Sequence, residues 1–120
     1  MPATILLYEA NPDIRRLVTG VLEEGGYVVM STDSLKQGEA VCHTVDLFLA
    51  DCDERSKETA MEVFRRVCGA AGREVPIVIF TANRIVKHEA EDAGCADVVQ
   101  KPFDIDEMLR QIEENLKQPA

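Results

Sequence analysis

Residues 46–51 read Asp-Leu-Phe-Leu-Ala-Asp, a run of four apolar residues between two aspartates. A continuous apolar run of this length is typical of a strand that is buried on both faces, as in a parallel sheet covered by helices. Two further β-branched or apolar runs, Thr4–Tyr8 and Ile77–Phe80, lie on either side of it in the chain. The three runs predict strands of one sheet, with Asp51 directly after the middle run.

A segment with helical periodicity follows the predicted strand Thr4–Tyr8. Asn11-Pro12 predicts the start of a helix, because Asn is a favourable N-cap and Pro fits the first helical position. The apolar residues that follow recur on one helical face, and they are Ile14, Leu17, Val18, Val21 and Leu22. Gly25-Gly26 ends this helix, and Tyr27–Met30 is the next predicted strand.

The same alternation continues along the rest of the chain. Asp33 or Ser34 can cap a short helix through about Val41. A longer helix is predicted over about Lys57–Ala71, with five inward residues: Met61, Phe64, Val67, Cys68 and Ala71. A helix over Arg84–Ala93 and a short strand at Asp97–Gln100 come next.

The last predicted helix is capped by Asp104. Its apolar stripe is Ile105, Met108, Leu109, Ile112 and Leu116. Five strands that alternate with helices predict an α/β fold with a doubly wound, five-stranded parallel sheet, formed by one domain of residues 1–120. In such sheets, binding sites form at the carboxyl ends of the strands, near the point where the strand order reverses.

Composition excludes several classes of protein. Hydrophobic residues make up 46% of the chain and charged residues 29%, which is typical of a globular domain. The formal net charge of −9 repels phosphate backbones, so we expect no direct binding of nucleic acid. No apolar run is long enough to span a bilayer, and Met1–Thr4 has no basic region typical of a secretory signal. We therefore expect a cytoplasmic protein without membrane contact.

Polar residues follow the predicted strands at the edge where a site is expected. Glu9, Asp51, Thr81 and Lys101 come at the ends of the first, third, fourth and fifth strands. Carboxylates suit Mg²⁺, which prefers hard oxygen ligands and keeps several waters. One carboxylate can attack a phosphoryl group, while a metal ion and a lysine neutralise the phosphoryl oxygens.

The motifs that contain these residues resemble those of the receiver domains of two-component response regulators. They occur in the same order and span nearly the whole chain, and they are Asn11–Leu17, Asp46–Asp51, Ile79–Ala82 and Lys101–Phe103. The resemblance implies a flavodoxin-like (βα)5 fold.

The resemblance also implies roles for individual residues. Asp51 matches the phosphate-accepting aspartate, and Thr81 and Lys101 match the residues that contact the phosphoryl group. Glu9, Asp51 and the backbone carbonyl of Asp53 match the ligands of Mg²⁺.

The chain departs from the family pattern at two other positions, Ala10 and Val98. Ala10 replaces the second acidic residue, which commonly ligates the metal, so we expect Mg²⁺ to bind weakly or not at all. Val98 stands where an aromatic switch residue is usual. Pro102 retains the family proline that commonly follows the lysine in a cis bond.

We expect a signal-transduction module rather than an enzyme. Asp51 would accept a phosphoryl group from a histidine kinase or a phosphotransfer protein, and the face around the last strand and helix would bind a downstream protein. The alternative is a pseudo-receiver that binds proteins without being phosphorylated, which Ala10 and Val98 favour. A flavodoxin-like cofactor binder or small enzyme is disfavoured, because no Gly-rich phosphate loop follows the first strand.

Overall fold

The computed structural model describes residues 2–41, 44–52, 60–71 and 75–117, and in these ranges five strands alternate with five helices. The strands are β1 Thr4–Tyr8, β2 Val28–Thr32, β3 Leu47–Asp51, β4 Ile77–Thr81 and β5 Asp97–Gln100. The helices are α1 Pro12–Glu24, α2 Leu35–Val41, α3 Ala60–Ala71, α4 Arg84–Asp92 and α5 Ile105–Lys117.

The strands form one sheet in the order β2-β1-β3-β4-β5, and every neighbouring pair is parallel. The chain passes from β1 outward to β2 and then returns to the other side of β1 with β3. The strand order therefore reverses between β1 and β3, which is where a ligand site is expected in a sheet of this kind. The predicted α/β fold with a doubly wound parallel sheet is confirmed.

Two hydrophobic cores cover the two faces of the sheet. Leu47 and Leu49 of β3 pack with residues of α1 and α5. Phe48 and Ala50 point the other way and pack with residues of α2, α3 and α4. Since successive residues of a strand face opposite sides, a strand buried on both faces must be apolar at every position, as the run in β3 is.

An asparagine caps the start of α1, which follows β1, and another caps the start of α4, which follows β4. The Asn11 side chain accepts hydrogen bonds from the backbone N–H groups of Asp13 and Ile14 at 2.9 and 3.2 Å. Asn83 caps α4 in the same way. These caps satisfy backbone donors that have no partner within the helix, and they fix where the chain leaves β1 and β4.

Three residues predicted to face the core are exposed instead. Leu17 is 54% exposed, Ile105 46% and Met61 40%. Leu17 lies about 100° around the helix from the buried Val18, at the margin of the apolar arc. Ile105 belongs to the predicted stripe of α5, but it is the first residue of that helix and lies at its exposed end.

The inward face of α3 is centred on Val63 and Val67, which are 0% and 1% exposed. Met61 lies two positions before Val63, and hence on a different side of the helix, where its sulfur accepts a hydrogen bond from Arg65. The first residues of the helix predicted from Lys57 lie outside the described part of the chain.

Other element boundaries differ by one or two residues from those predicted. Tyr27 donates its N–H to Leu22 O at the end of α1 rather than beginning β2. The strand instead continues through Thr32, which is paired with Tyr8. Among the described residues, no helix combines the length and the apolar character needed to cross a bilayer.

Candidate functional site

The register of the sheet brings two acidic residues together at the strand-order reversal. Tyr8 is paired with Ala50, so Glu9 follows β1 at the level of Asp51, the last residue of β3. Both residues are nearly inaccessible, with Glu9 2% and Asp51 4% exposed. Two buried carboxyl groups side by side require a cation or a proton for stability.

Lys101 supplies a cation to this pair. It follows β5, and its Nζ lies 2.7 Å from Asp51 Oδ1 and 3.8 Å from Glu9 Oε1. The peptide bond between Lys101 and Pro102 is cis, as the family resemblance implied. Because the lysine is itself largely buried, its attraction to the carboxylates is less screened than that of a surface pair.

The aromatic ring of Phe80 lies against the ammonium group. Lys101 Nζ lies 4.6 Å from the centroid of the Phe80 ring, and Phe80 packs against Phe103 with a centroid separation of 5.0 Å. A cation over a ring face gains a further electrostatic attraction. The Phe80 ring therefore helps to hold the ammonium group beside the two carboxyl groups, and Phe103 packs against that ring.

The Glu9 carboxyl group titrates far from its ordinary range. Burial and then the neighbouring Asp51 carboxyl raise the pKa of Glu9 from 4.5 to about 7, against opposing effects of the Asn11 N–H and the Lys101 ammonium. Asn11 donates its N–H to Glu9 Oε2 at 3.2 Å. The other oxygen, Oε1, is buried without a hydrogen-bond partner. Near neutral pH, Glu9 therefore exchanges between a protonated and an ionised form.

Thr81 lies at the same edge of the sheet but contacts a different element. It is 1% exposed, and its backbone oxygen accepts a hydrogen bond from Lys101 N–H at 2.9 Å. Its hydroxyl oxygen accepts one from the N–H of Asn83 at 3.0 Å. Thr81 thus connects Lys101 with the start of α4, while Glu9, Asp51 and Lys101 meet through their side chains.

The remaining predicted positions contribute less to this geometry. Ala10 is exposed and presents a methyl group that cannot bind a metal ion. Val98 is half-buried and packs against the core beneath α3 and α4. Asp53, the expected source of a carbonyl ligand, lies outside the described residues. Within the described ranges, no three His, Cys, Asp or Glu residues are grouped as a metal site.

Two contributors to the site were not predicted from the sequence. Arg15 donates from Nη1 to the backbone oxygen of Glu9 at 2.8 Å. Phe80 was assigned only to a buried strand. The contact of Arg15 has a sequence signal in retrospect, since the first turn of a helix lies near the end of the strand that precedes it. The position of Phe80 beneath Lys101 depends on the pairing of β4 with β5, which the sequence does not specify.

The donor set is compatible with Mg²⁺. The carboxylates of Glu9 and Asp51 are hard oxygen ligands, and a buried Glu9 oxygen without a partner is available for coordination. Mg²⁺ tolerates waters at its other positions. The site thus combines two buried carboxyl groups, both potential metal ligands, with an ammonium group.

The chain matches a protein-family model and the sequence of an individual protein. The family model of the response regulator receiver domain matches residues 5–113. The DNA-binding dual master transcriptional regulator RpaA of Synechocystis is 32% identical over 114 residues, which are 90% of this chain and 46% of RpaA. The chain therefore spans less than half the length of that relative.

Solved structures with similar folds include a receiver with bound metal. The receiver domain of the sensor histidine kinase PA1611 from Pseudomonas aeruginosa, which has magnesium in its active-site cleft, is 27% identical with a TM-score of 0.84. That match covers 98% of this chain and 100% of the other. The chemotaxis response regulator CheY4 of Vibrio cholerae has a TM-score of 0.82 at 21% identity, covering 96% and 99% of the two chains.

Proposed function

The chain belongs to the response-regulator receiver domains of two-component signalling, and from this premise we propose that Asp51 is its phosphate-accepting residue. The observation that carries the proposal is the 2.7 Å contact between Lys101 Nζ and Asp51 Oδ1, beside the buried carboxyl group of Glu9. A carboxylate at a strand end, paired with an ammonium group and shielded from bulk water, is suited to nucleophilic attack on phosphorus.

The proposed donor is a phosphohistidine on a histidine kinase or a phosphotransfer protein. An oxygen of Asp51 forms a bond to phosphorus while the P–N bond breaks, and the electron pair of that bond remains on the imidazole nitrogen. The product is an aspartyl phosphate. Lys101 then pairs with the phosphoryl oxygens, whose negative charge exceeds that of the original carboxylate.

We propose that Mg²⁺ is held by Glu9 and Asp51, together with the backbone carbonyl of Asp53. When bound, the ion supplies positive charge against the phosphoryl oxygens. The magnesium in the related receiver of PA1611 supports this assignment. Because Ala10 removes one negative charge from the usual ligand set, we expect a weak site.

Thr81 is the proposed link between the phosphoryl group and the output surface. A hydroxyl that accepts a hydrogen bond from Asn83 N–H still has a proton to donate, and we propose that it donates to a phosphoryl oxygen. A shift of Thr81 would change its contact with the start of α4, and so favour one conformation of the neighbouring face.

The proposed output face includes β5 and α5, which are joined by side-chain hydrogen bonds. Gln111 Nε2 donates to Val98 O at 2.9 Å, and Asn115 Nδ2 donates to Asp97 Oδ2 at 3.1 Å. Since Lys101 follows β5 directly, a displacement of Lys101 on phosphorylation would move β5 and α5 together. We propose that a downstream protein binds here.

A small phosphodonor tests the proposed acceptor. The protein is incubated with acetyl phosphate and Mg²⁺, and its intact mass is measured. We expect the wild type and Asp46→Asn to gain one phosphoryl group, and Asp51→Asn to gain none. Asp46 is a matched control, because it is an exposed aspartate directly before the strand that ends in Asp51. An equal gain by Asp51→Asn would contradict the assignment.

The second candidate function is a receiver that binds proteins without being phosphorylated. The absence of a carboxylate at the exposed Ala10 and the aliphatic Val98 at the usual switch position favour it. For this candidate, we expect no adduct at millimolar Mg²⁺ while circular dichroism shows an intact fold. An adduct that depends on Asp51 would exclude it.

A further inference from the structure

Glu9 is held through three of its four polar backbone and carboxyl atoms. Its N–H donates to Thr32 O at 3.0 Å, its backbone oxygen accepts from Arg15 Nη1 at 2.8 Å, and its Oε2 accepts from Asn11 N–H at 3.2 Å. The fourth atom, Oε1, has no hydrogen-bond partner and lies 3.8 Å from Lys101 Nζ. These three contacts hold the backbone of Glu9 and one of its carboxyl oxygens, and so restrict the directions that Oε1 can take.

Arg15 makes the one contact of the three that a substitution can remove directly. Thr32 and Asn11 bind Glu9 through backbone atoms, whereas Arg15 binds it through a side chain. The guanidinium group extends from the first turn of α1 back to the end of β1, six residues earlier. It is half-buried, so the hydrogen bond is partly shielded from competing water.

The substitution at Ala10 increases the importance of Glu9. Ala10 offers no carboxylate, so Glu9 and Asp51 are the carboxylates that meet Lys101 among the described residues. A glutamate side chain has one more rotatable bond than an aspartate, and it therefore loses more freedom when its oxygen is held in one place. A fixed backbone at Glu9 reduces the range that Oε1 can explore.

We propose that Arg15 is a positioning residue, which fixes the peptide group between Glu9 and Ala10 and so directs Glu9 Oε1 toward Lys101 and Asp51. The inference rests on the proposed function, because that function gives Glu9 its role toward Mg²⁺. It adds a residue to the site that reaches the metal and the phosphoryl group only through Glu9.

Arg16 provides a matched control. It has the same charge, lies in the next position of the same helix and is exposed. Its guanidinium group has no hydrogen bond to Glu9 among the described residues. An effect of positive charge on the approach of an anionic donor would be shared by both arginines, whereas an effect on Glu9 would belong to Arg15 alone.

The test compares the wild type with Arg15→Gln, Arg15→Lys and Arg16→Gln. Binding of Mn²⁺, used as a paramagnetic probe of the magnesium site, is measured by electron paramagnetic resonance without any phosphodonor. We expect Arg15→Gln to weaken Mn²⁺ binding by about tenfold, as is usual when a partner that orients a ligand is lost. Arg15→Lys restores part of the affinity, and Arg16→Gln changes it less than about twofold.

Adduct formation with acetyl phosphate is then followed as a function of Mg²⁺ concentration. Arg15→Gln requires about tenfold more Mg²⁺ for the half-maximal rate, with a maximal rate close to that of the wild type. A purely structural defect would instead lower the rate of adduct formation at every Mg²⁺ concentration, including the maximal rate at saturation. Equal metal dependence in Arg15→Gln and Arg16→Gln would overturn the proposal.

A third measurement is independent of phosphorylation and metal. The carbonyl carbon of Glu9 and the amide proton of Ala10 share the peptide group that Arg15 binds, and NMR reports both. We expect their resonances to shift in Arg15→Gln and to remain in place in Arg16→Gln. If neither the wild type nor any variant forms an adduct, the proposed function fails, but the NMR comparison still decides the role of Arg15. Resonances that do not shift in Arg15→Gln would refute that role.

Discussion

Glu9→Gln is the substitution whose effect on stability follows most directly from the structure. Glu9 is 2% exposed, and burial beside Asp51 raises its pKa to about 7. Between the ordinary value of 4.5 and about 7, the folded protein binds this proton while the unfolded chain has released it. The free energy of unfolding therefore falls as the pH rises through this range. Glutamine has nearly the same shape and does not titrate.

The magnitude follows from the two pKa values of Glu9. A rise from 4.5 to about 7 corresponds to about 3 kcal/mol between the two protonation states. We expect the difference in unfolding free energy between Glu9→Gln and the wild type to change by most of this amount, about 2–3 kcal/mol, from pH 5 to pH 8, in favour of the variant. Costs that do not depend on pH, such as altered packing of the amide, cancel in this comparison.

Urea unfolding at pH 5, 6, 7 and 8, with a chelator present, measures the effect. Glu24→Gln is the control, because Glu24 is exposed at the end of α1 and its substitution should give curves parallel to the wild type. If the difference in unfolding free energy between Glu9→Gln and the wild type stays constant from pH 5 to pH 8, the account of Glu9 as a buried carboxyl group with a raised pKa is wrong. Added Mg²⁺ should reduce the difference at pH 8, since a bound cation favours the ionised form of Glu9.

Three further predictions concern the neighbouring residues. Lys101→Met should lower the unfolding free energy at pH 8 by about 3–5 kcal/mol, because it leaves two buried carboxylates without their cation; a loss as large at pH 5, where Glu9 is protonated, would count against this reasoning. Ala10→Asp should tighten Mg²⁺ binding by about tenfold or more in a calorimetric titration, because it adds a unit charge beside a divalent ion; unchanged affinity would mean that the metal site is misplaced. Asn115→Leu should cost about 1–3 kcal/mol in urea unfolding, because Asp97 Oδ2 loses its donor; a neutral result would show that this hydrogen bond between α5 and β5 contributes little.

The strand pattern made the fold predictable from the sequence. A strand buried on both faces is largely apolar, and the runs Ile5–Tyr8 and Ile77–Phe80 are buried at every position. The Asn11-Pro12 pair located the start of α1 correctly, because the capping interaction is local. Local chemistry and long apolar runs are the features that a sequence expresses most directly.

The orientation of helix faces was less predictable. An apolar stripe covers an arc, and its margin is decided by how each helix lies on the sheet. Leu17 and Met61 fall outside the contact for this reason, while Val63 lies at its centre. Their periodicity was helical, but the rotation of each helix is a property of the packed domain.

The site was predictable as a set of residues, but its physical state was not. The order of the motifs indicated that Glu9, Asp51, Thr81 and Lys101 would share one edge of the sheet. The raised pKa of Glu9 depends on burial and on the distance to Asp51, which the sequence does not give. The hydrogen bond of Arg15 to the Glu9 backbone likewise becomes visible only once α1 is placed against β1.

Chemical trapping at a defined position tests the central claim most directly. After incubation with acetyl phosphate and Mg²⁺, borohydride reduces an aspartyl phosphate to homoserine, and peptide mass mapping locates the converted residue. We predict homoserine at position 51 and at no other carboxylate. Conversion at another aspartate, or none at all in a folded protein saturated with Mg²⁺, would contradict the assignment of Asp51 as the acceptor.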